Sequence, residues 1–219
     1  MANGKLLILG ATGETGKVVV KRAIELGWHI TVYGRRTLPE HADNPDIKTV
    51  EGNLDNEQQL RAAIRGQDVI ISVIGPSSAF ASTDVFVPGY KLIFSIMKDE
   101  GVRRIIALST FSVRDPKDNP SLFLWFLTTV LWAFAHKIWR AIVDIGEVFD
   151  TYGGDVDWTL FRVGFLGNGP RGRFVDGYVA DGTLGTYLRR ADIAEWTLSQ
   201  AEKSPPEHVH QKPGLSSIS

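Results

Sequence analysis

The sequence predicts an α/β fold: a doubly wound parallel sheet with helices on both faces and a small substrate region supplied by the second half. Short apolar runs alternate with segments of helical periodicity through the first half, and that alternation implies right-handed crossovers and a parallel sheet. The first apolar run ends in a glycine-rich turn that opens the first helix. The 219 residues suit one domain with a full core.

Residues 5–9 form a short run, apolar from Leu6 to Leu9, that ends at Gly10, the pattern of a central strand buried on both faces. Residues 16–26 put Val19, Val20, Ala23 and Leu26 on one helical face, and Gly27 closes that helix. Strands are expected at 29–33 and 47–50. A helix over 57–64 ends at Gly66. A fourth strand covers 69–74, a helix runs from about 87 to 100 before Gly101, and a fifth strand covers 104–108. A polar loop at 115–120 leads to an aromatic-rich run over 122–139. This run passes into a helix reaching about residue 152, where Gly153 and Gly154 break it. A sixth strand is expected at 158–163. Residues 164–185 hold seven glycines and a proline, which predicts loop or a short hairpin. A last helix covers 190–201. Residues 1–204 therefore read as one domain, with 115–140 as an insertion or lid. Residues 205–219 read as a polar, loosely ordered tail.

Composition narrows the function classes. The chain is 43% hydrophobic and 22% charged, with net charge −1. A nearly neutral chain argues against a general nucleic-acid binder, which pairs a basic surface with phosphates. With no cysteine, disulfides, Cys-based zinc sites and thiol nucleophiles are excluded. His208 and His210 lie in the expected tail and read as tail residues rather than ligands, so no metal is expected. The N-terminus lacks a basic region followed by a long apolar stretch. The most apolar segment, 122–135, is shorter than the roughly 20 residues of a membrane span. A cytoplasmic protein without an integral membrane segment is the expectation.

The turn Gly10-Ala11-Thr12-Gly13-Glu14-Thr15-Gly16 lies between the first strand and the first helix. Gly10 permits the tight turn, Gly13 lets a pyrophosphate approach the backbone, and Gly16 allows close helix–strand packing. The free N–H groups and the positive helix end then face phosphates, as in a dinucleotide-binding (Rossmann) fold. About 20 residues further on, an acid would accept hydrogen bonds from NAD ribose hydroxyls. That place holds Arg35 and Arg36, whose guanidinium groups suit a 2′-phosphate. The expected cofactor is NADP(H); the plainer alternative is two solvated surface arginines. Asn53 and Leu54, and Ile74, Gly75 and Pro76, follow the third and fourth strands and so border the expected crevice. Asn53 is a candidate for the adenine edge and Gly75 for close approach of a ribose, though each also suits a turn.

The ordered set Gly10-Ala11-Thr12-Gly13-x-x-Gly16, Arg35, Gly52-Asn53-Leu54, Ser109-Thr110, Asp157-Trp158-Thr159-Leu160-Phe161-Arg162 and Arg190-x-Asp192-Ile193-Ala194 resembles the atypical short-chain dehydrogenase/reductases. These include the NmrA-like proteins and the flavin reductase (biliverdin reductase B) type. The resemblance covers nearly the whole chain except the 122–139 run and the tail, and implies an NAD(P)-binding fold. The standard catalytic pair of that superfamily, Tyr-x-x-x-Lys, is absent: none of Tyr33, Tyr90, Tyr152, Tyr178 and Tyr187 has a Lys four residues later. In the biliverdin reductase B type, a hydroxyl residue after the fifth strand and a His after the sixth lie near the nicotinamide. Thr110, beside Ser109, matches the first; the second falls near Gly164, so the His is missing.

Ser109, Thr110 and Ser112 are the hydroxyls at the expected nicotinamide end, suited to holding the carboxamide, orienting a substrate oxygen or capping a turn. His136 and Lys137 start the helix that carries Tyr and Lys in the standard enzymes. They are candidates for acid–base work and for a ribose contact, or are exposed helix residues. Asp144 and Glu147 share a helical face and read as solvent-facing, while Tyr178 and Asp181 are candidates to close over a substrate. Without a proton-donating pair, the acceptor should be one whose reduced form takes its proton from water. The sequence therefore predicts an NADP(H)-dependent reductase of a hydrophobic conjugated molecule of flavin, quinone or enone type. Two alternatives stand beside it. One is a non-redox isomerase, cyclase or dehydratase in a biosynthetic pathway; the other is an NmrA-like dinucleotide sensor that binds a protein partner. The aromatic run reads as a substrate wall, a partner or homodimer interface, a membrane-surface contact or extra core.

Overall fold

The computed structural model describes residues 3–41, 43–75 and 82–218; Pro76 lies outside them, as does the side chain of Phe123. Strand β1 (Asn3–Leu9) alternates Leu6 and Ile8 against Leu7 and Leu9, all fully buried but on opposite faces. A strand apolar on both sides needs a helical layer on each face. Helix α1 (Glu14–Glu25) supplies one, packing Val19, Val20 and Ala23 with Leu6 and Ile8.

Strands β2 (Trp28–Gly34) and β3 (Ile47–Glu51) follow, separated by a 3-10 turn at Pro39–His41. Helix α2 (Glu57–Ile64) is capped by Asn56, whose side chain accepts the Gln59 N–H at 3.1 Å. Strand β4 (Val69–Ser72) and helix α3 (Phe86–Glu100) come next, and Gly101 ends the helix in the left-handed region at φ 73°. Strand β5 (Arg104–Thr110) and helices α4 (Leu122–Phe134) and α5 (His136–Tyr152) lead to strand β6 (Asp157–Val163). The chain does not run straight from the aromatic segment into one helix: Ala135, at φ −138° and ψ 46°, breaks it. Strands β7 (Phe165–Gly167), β8 (Arg173–Gly177) and β9 (Tyr187–Arg189), helix α6 (Arg190–Glu202) and strand β10 (Gly214–Ile218) complete the fold.

The main sheet has the order β3-β2-β1-β4-β5-β6-β10-β8. Its first six strands are parallel, with the reversal of winding between β1 and β4. In open α/β sheets the crevice beyond the carboxyl ends at that reversal is where ligands bind. Helices α1 and α6 cover one face, while α2, α3 and α5 cover the other through Leu60, Ile93, Met97 and Phe149.

The expectation of a loosely ordered tail is corrected. Residues Gly214–Ile218 form β10, parallel to β6 and antiparallel to β8. His210 bonds the Val156 carbonyl oxygen through Nε2 at 2.8 Å, and His208 Nε2 lies 3.2 Å from Asp176. The hydroxyls of Ser216 and Ser217 accept the N–H groups of Gly185 and Arg189, so polar residues are held in the sheet by tertiary partners.

Candidate functional site

The glycine turn joins the carboxyl end of β1 to α1. Gly10 sits at φ +86°, and a Cβ there would lie 2.9 Å from the Val73 backbone, so β1 and β4 meet through this glycine. A Cβ on Gly16 would stand 2.1 Å from the Gly10 carbonyl oxygen. The fold itself thus requires both. Gly13 is different. At φ −77° and ψ 165° it suits any residue, and a Cβ there would meet only the Gly10 oxygen, at an ordinary 3.4 Å. A Cβ on Gly75, after β4, would find nothing within 4 Å among the described residues. Packing among the described residues does not require a glycine at either position.

Gly13 caps α1 without a side-chain hydrogen bond. The first-turn N–H groups, those of Glu14, Thr15 and Gly16 among them, have no partner within the helix and carry its positive end. Thr15 is buried, whereas the Glu14 side chain is exposed. Beside this turn lies a pocket of about 540 Å³ lined by Thr12, Lys17, Arg35, Arg36, Leu38 and Glu51, among others. Three cations face one carboxylate there, with Arg35 and Arg36 exposed just past β2. The pocket suits a dianionic phosphate held by forked guanidinium groups.

The loop after β3 is shaped by Tyr33. Its hydroxyl donates to the Asn53 carbonyl oxygen at 2.7 Å, and a Cβ on Gly52 would strike that hydroxyl at 2.4 Å. Burial, helped by Asp55, pushes the Tyr33 pKa up to about 12, so it stays a neutral donor. The Asn53 side chain remains exposed at the crevice. Leu54 instead turns toward α3, where a Cβ on Gly89 would meet it at 2.8 Å. Ile74 packs against the core beneath the crevice. Below it, a buried 2.7 Å hydrogen bond between Ser72 and Tyr90 ties β4 to α3.

Ser109 is buried at the carboxyl end of β5 and Thr110 half-buried beside it. Thr110 accepts the Ser112 N–H through its hydroxyl at 3.2 Å, which leaves its own proton to donate. His136 and Lys137 are exposed at the start of α5. His136 packs between Trp132 and Trp139, each 5.7 Å away. The helix meets the turn after β5 at Gly146, where a Cβ would lie 2.7 Å from Val113. Gly146 stands about 13–15 Å further along the axis than His136 and Lys137. Ser109 and Thr110 are chain neighbours at the carboxyl end of β5, and His136 lies among the aromatics of α4 and α5. Asp144 pairs with Arg140 at 2.8 Å. Asp181 is a turn organiser: burial raises its pKa, but the N–H groups of Thr183, Tyr178 and Leu184 prevail and hold it at about 2.

Arg162 and Asp192 stand in the sequence motifs, but the partners that bury them were not legible there. Arg162, fully buried in β6, donates to both Asp118 oxygens, to the Val113 carbonyl at 3.0 Å and to the Lys212 carbonyl at 2.6 Å. Asp118 also accepts the Val179 N–H. The loop after β5 is thereby tied to β6 and to the loop after β8. Asp192, buried at the start of α6, accepts the Gly172 N–H at 2.8 Å and the Ser217 hydroxyl at 2.5 Å. The signal for both was a charged residue set among apolar ones, as in Leu160-Phe161-Arg162-Val163. Among the described residues no cluster of three His, Cys, Asp or Glu is placed to hold a metal.

Comparison with known proteins agrees with this geometry. The sequence profile of a family described as NAD(P)H-binding matches residues 10–204. The NADH-ubiquinone oxidoreductase 40 kDa subunit, mitochondrial, of Neurospora crassa is 27% identical over 124 residues, which are 53% of this chain and 33% of that protein. The chain spans about a third of the length of the curated relatives it matches. A short-chain dehydrogenase/reductase from Veillonella parvula, in complex with NADP, superposes with a TM-score of 0.73 at 18% identity, covering 97% of this chain and 94% of that one. ChuY, an anaerobilin reductase from Escherichia coli O157:H7, superposes at 0.76 and 18%, covering 97% and 96%. At such identities the structural likeness establishes the fold.

Proposed function

The chain belongs to the NAD(P)H-binding family, and on that footing we propose that it is an NADP(H)-dependent reductase of a hydrophobic, conjugated small molecule of flavin, quinone or enone type. The observation that carries this reading is the cationic pocket of Lys17, Arg35 and Arg36 beside a glycine turn whose Gly13 the protein's own packing does not require. In this reading the α1 first turn and Gly13 hold the pyrophosphate. Arg35 and Arg36 hold the 2′-phosphate, Thr12 lies between these two subsites, and Asn53 flanks the adenine, while Leu54 packs behind it against α3. Ile74 and Gly75 border a ribose.

NADPH held there would supply a hydride, and the acceptor would take its proton from water. Ser109 and Thr110 orient the carboxamide or a substrate oxygen as hydroxyl donors. The Arg162–Asp118 pair holds the loop after β5 in place, which keeps those donors fixed while charge develops on the acceptor. His136 and Lys137, set among the α4 and α5 aromatics, are left outside the reacting centre. Two reductases lend support by their names, the anaerobilin reductase above and phenylcoumaran benzylic ether reductase IRL1 of Ginkgo biloba.

The test is oxidation of NADPH, followed by nicotinamide absorbance, against a panel of quinones, free flavins and linear tetrapyrroles. Turnover of at least one of them, with NADPH preferred to NADH, is expected. A product formed with no change in nicotinamide absorbance would replace this reading with a non-redox rearrangement.

A further inference from the structure

Helix α4 carries no charged residue along its 13 positions. Leu122, Trp125, Phe126, Val130, Trp132 and Phe134 are between 37% and 88% exposed. At about 100° per residue these six side chains fan over an arc of roughly 200°. A single partner helix covers a stripe nearer to about 100°, so half of such a ridge would stay in water after pairing with one neighbour.

The polar groups on this helix are already satisfied within it. Thr128 donates its hydroxyl to the Leu124 carbonyl at 2.8 Å, and Thr129 donates to the Trp125 carbonyl at 2.7 Å. That is the arrangement an apolar medium demands, because it offers hydroxyls no partner. No carboxylate occurs between Asp118 and Asp144, while Lys137 and Arg140 follow directly on the apolar run; Arg140, which pairs with Asp144 one turn further on, reaches the headgroups by exchanging that carboxylate for a lipid phosphate. Trp132, His136 and Trp139 form a contiguous ring cluster at the junction with α5, and indoles favour a water–lipid boundary. Among the described residues no helix is long and apolar enough to cross a membrane.

We propose that α4 and the first turn of α5 seat this protein on the surface of an anionic lipid bilayer. The exposed arc of α4 lies among the acyl chains, with Lys137 and Arg140 at the headgroups. This attachment is independent of the reductase reading, and its test measures no turnover.

The full chain is floated with vesicles of phosphatidylcholine alone, or with about a third phosphatidylserine, some carrying brominated acyl chains. Trp28, Trp158 and Trp196 are buried, leaving Trp125, Trp132 and Trp139 as the fluorophores lipid can reach. Co-flotation stronger on the anionic vesicles is expected, with quenching by the brominated lipid. The double variant Trp125→Ser/Phe126→Ser should partition at least tenfold more weakly, with an unchanged melting profile and unchanged NADPH binding. Absence of flotation on either vesicle overturns the proposal. So does a stable dimer that Phe126→Glu splits without any vesicle binding, since a second copy would then be the occupant.

Discussion

Arg162 and Asp118, 44 residues apart in sequence, form a two-pronged ion pair with contacts of 2.5 and 2.8 Å, and the arginine is fully buried. The pair joins β6 to the loop after β5, and Asp118 carries the link on to Val179. Burying a charge costs heavily unless its partner is retained. Asp118→Ala should therefore cost about 3–5 kcal/mol, a fall of roughly 6–20 °C in Tm for a chain of this size. The double variant Asp118→Ala/Arg162→Met should recover part of that loss in the same melting experiment. An unchanged Tm in the single variant would show that the pair is not a structural clamp.

The same pair sets an acid limit. Burial pushes the Asp118 carboxyl up, but the hydrogen bonds from Arg162 and the N–H groups of Asp115 and Val179 outweigh it and hold it below the usual range. A depressed folded pKa means that the stabilisation is complete above the unfolded value of about 3.9 and is lost as pH falls through the folded one. Asp181, held at about 2, adds to the same loss. Urea midpoints should therefore drop below about pH 4. In Asp118→Asn that acid drop should be shallower, from a lower plateau. An identical acid slope in the variant and the parent would contradict the assignment.

The glycine turn separates folding from binding. Gly16→Ala puts a Cβ 2.1 Å from a backbone oxygen, so it should lower Tm or prevent folding. Gly13→Ala meets only an ordinary contact, so it should leave Tm nearly unchanged. Its methyl stands at the pyrophosphate position proposed above, and on that reading it should weaken NADPH binding by about tenfold or more, at 1.4 kcal/mol per decade. Paired melting curves and NADPH titrations decide the matter. Normal binding in Gly13→Ala would move the phosphate site elsewhere.

The first half of the fold was legible because its signals are local. Leu6 to Leu9 is apolar on both faces, Asn56 and Gly101 punctuate helices, and Gly10 to Gly16 names its own turn. Strand β10 was not legible, because Ser216 and Ser217 are kept in the sheet by Gly185, Arg189 and Asp192, partners no local pattern reveals. Arg162 was visible as an oddity in an apolar strand, but its partner lies across a loop and two helices. The helix that carries His136 and Lys137 was legible, but the break at Ala135 that starts it and the packing of His136 between Trp132 and Trp139 were not.

The central claim is that the Arg35–Arg36 pocket selects a phosphorylated dinucleotide. The most direct measurement is the ratio of dissociation constants for NADPH and NADH, in the parent and in Arg35→Ser/Arg36→Ser. Hydrogen bonds to a charged group contribute about 1.5–3 kcal/mol each, so the parent should prefer NADPH by roughly ten- to a hundredfold or more. The double variant should lose that preference while its NADH affinity stays nearly constant. Equal affinities in the parent, or a preference that survives the double substitution, would contradict the account.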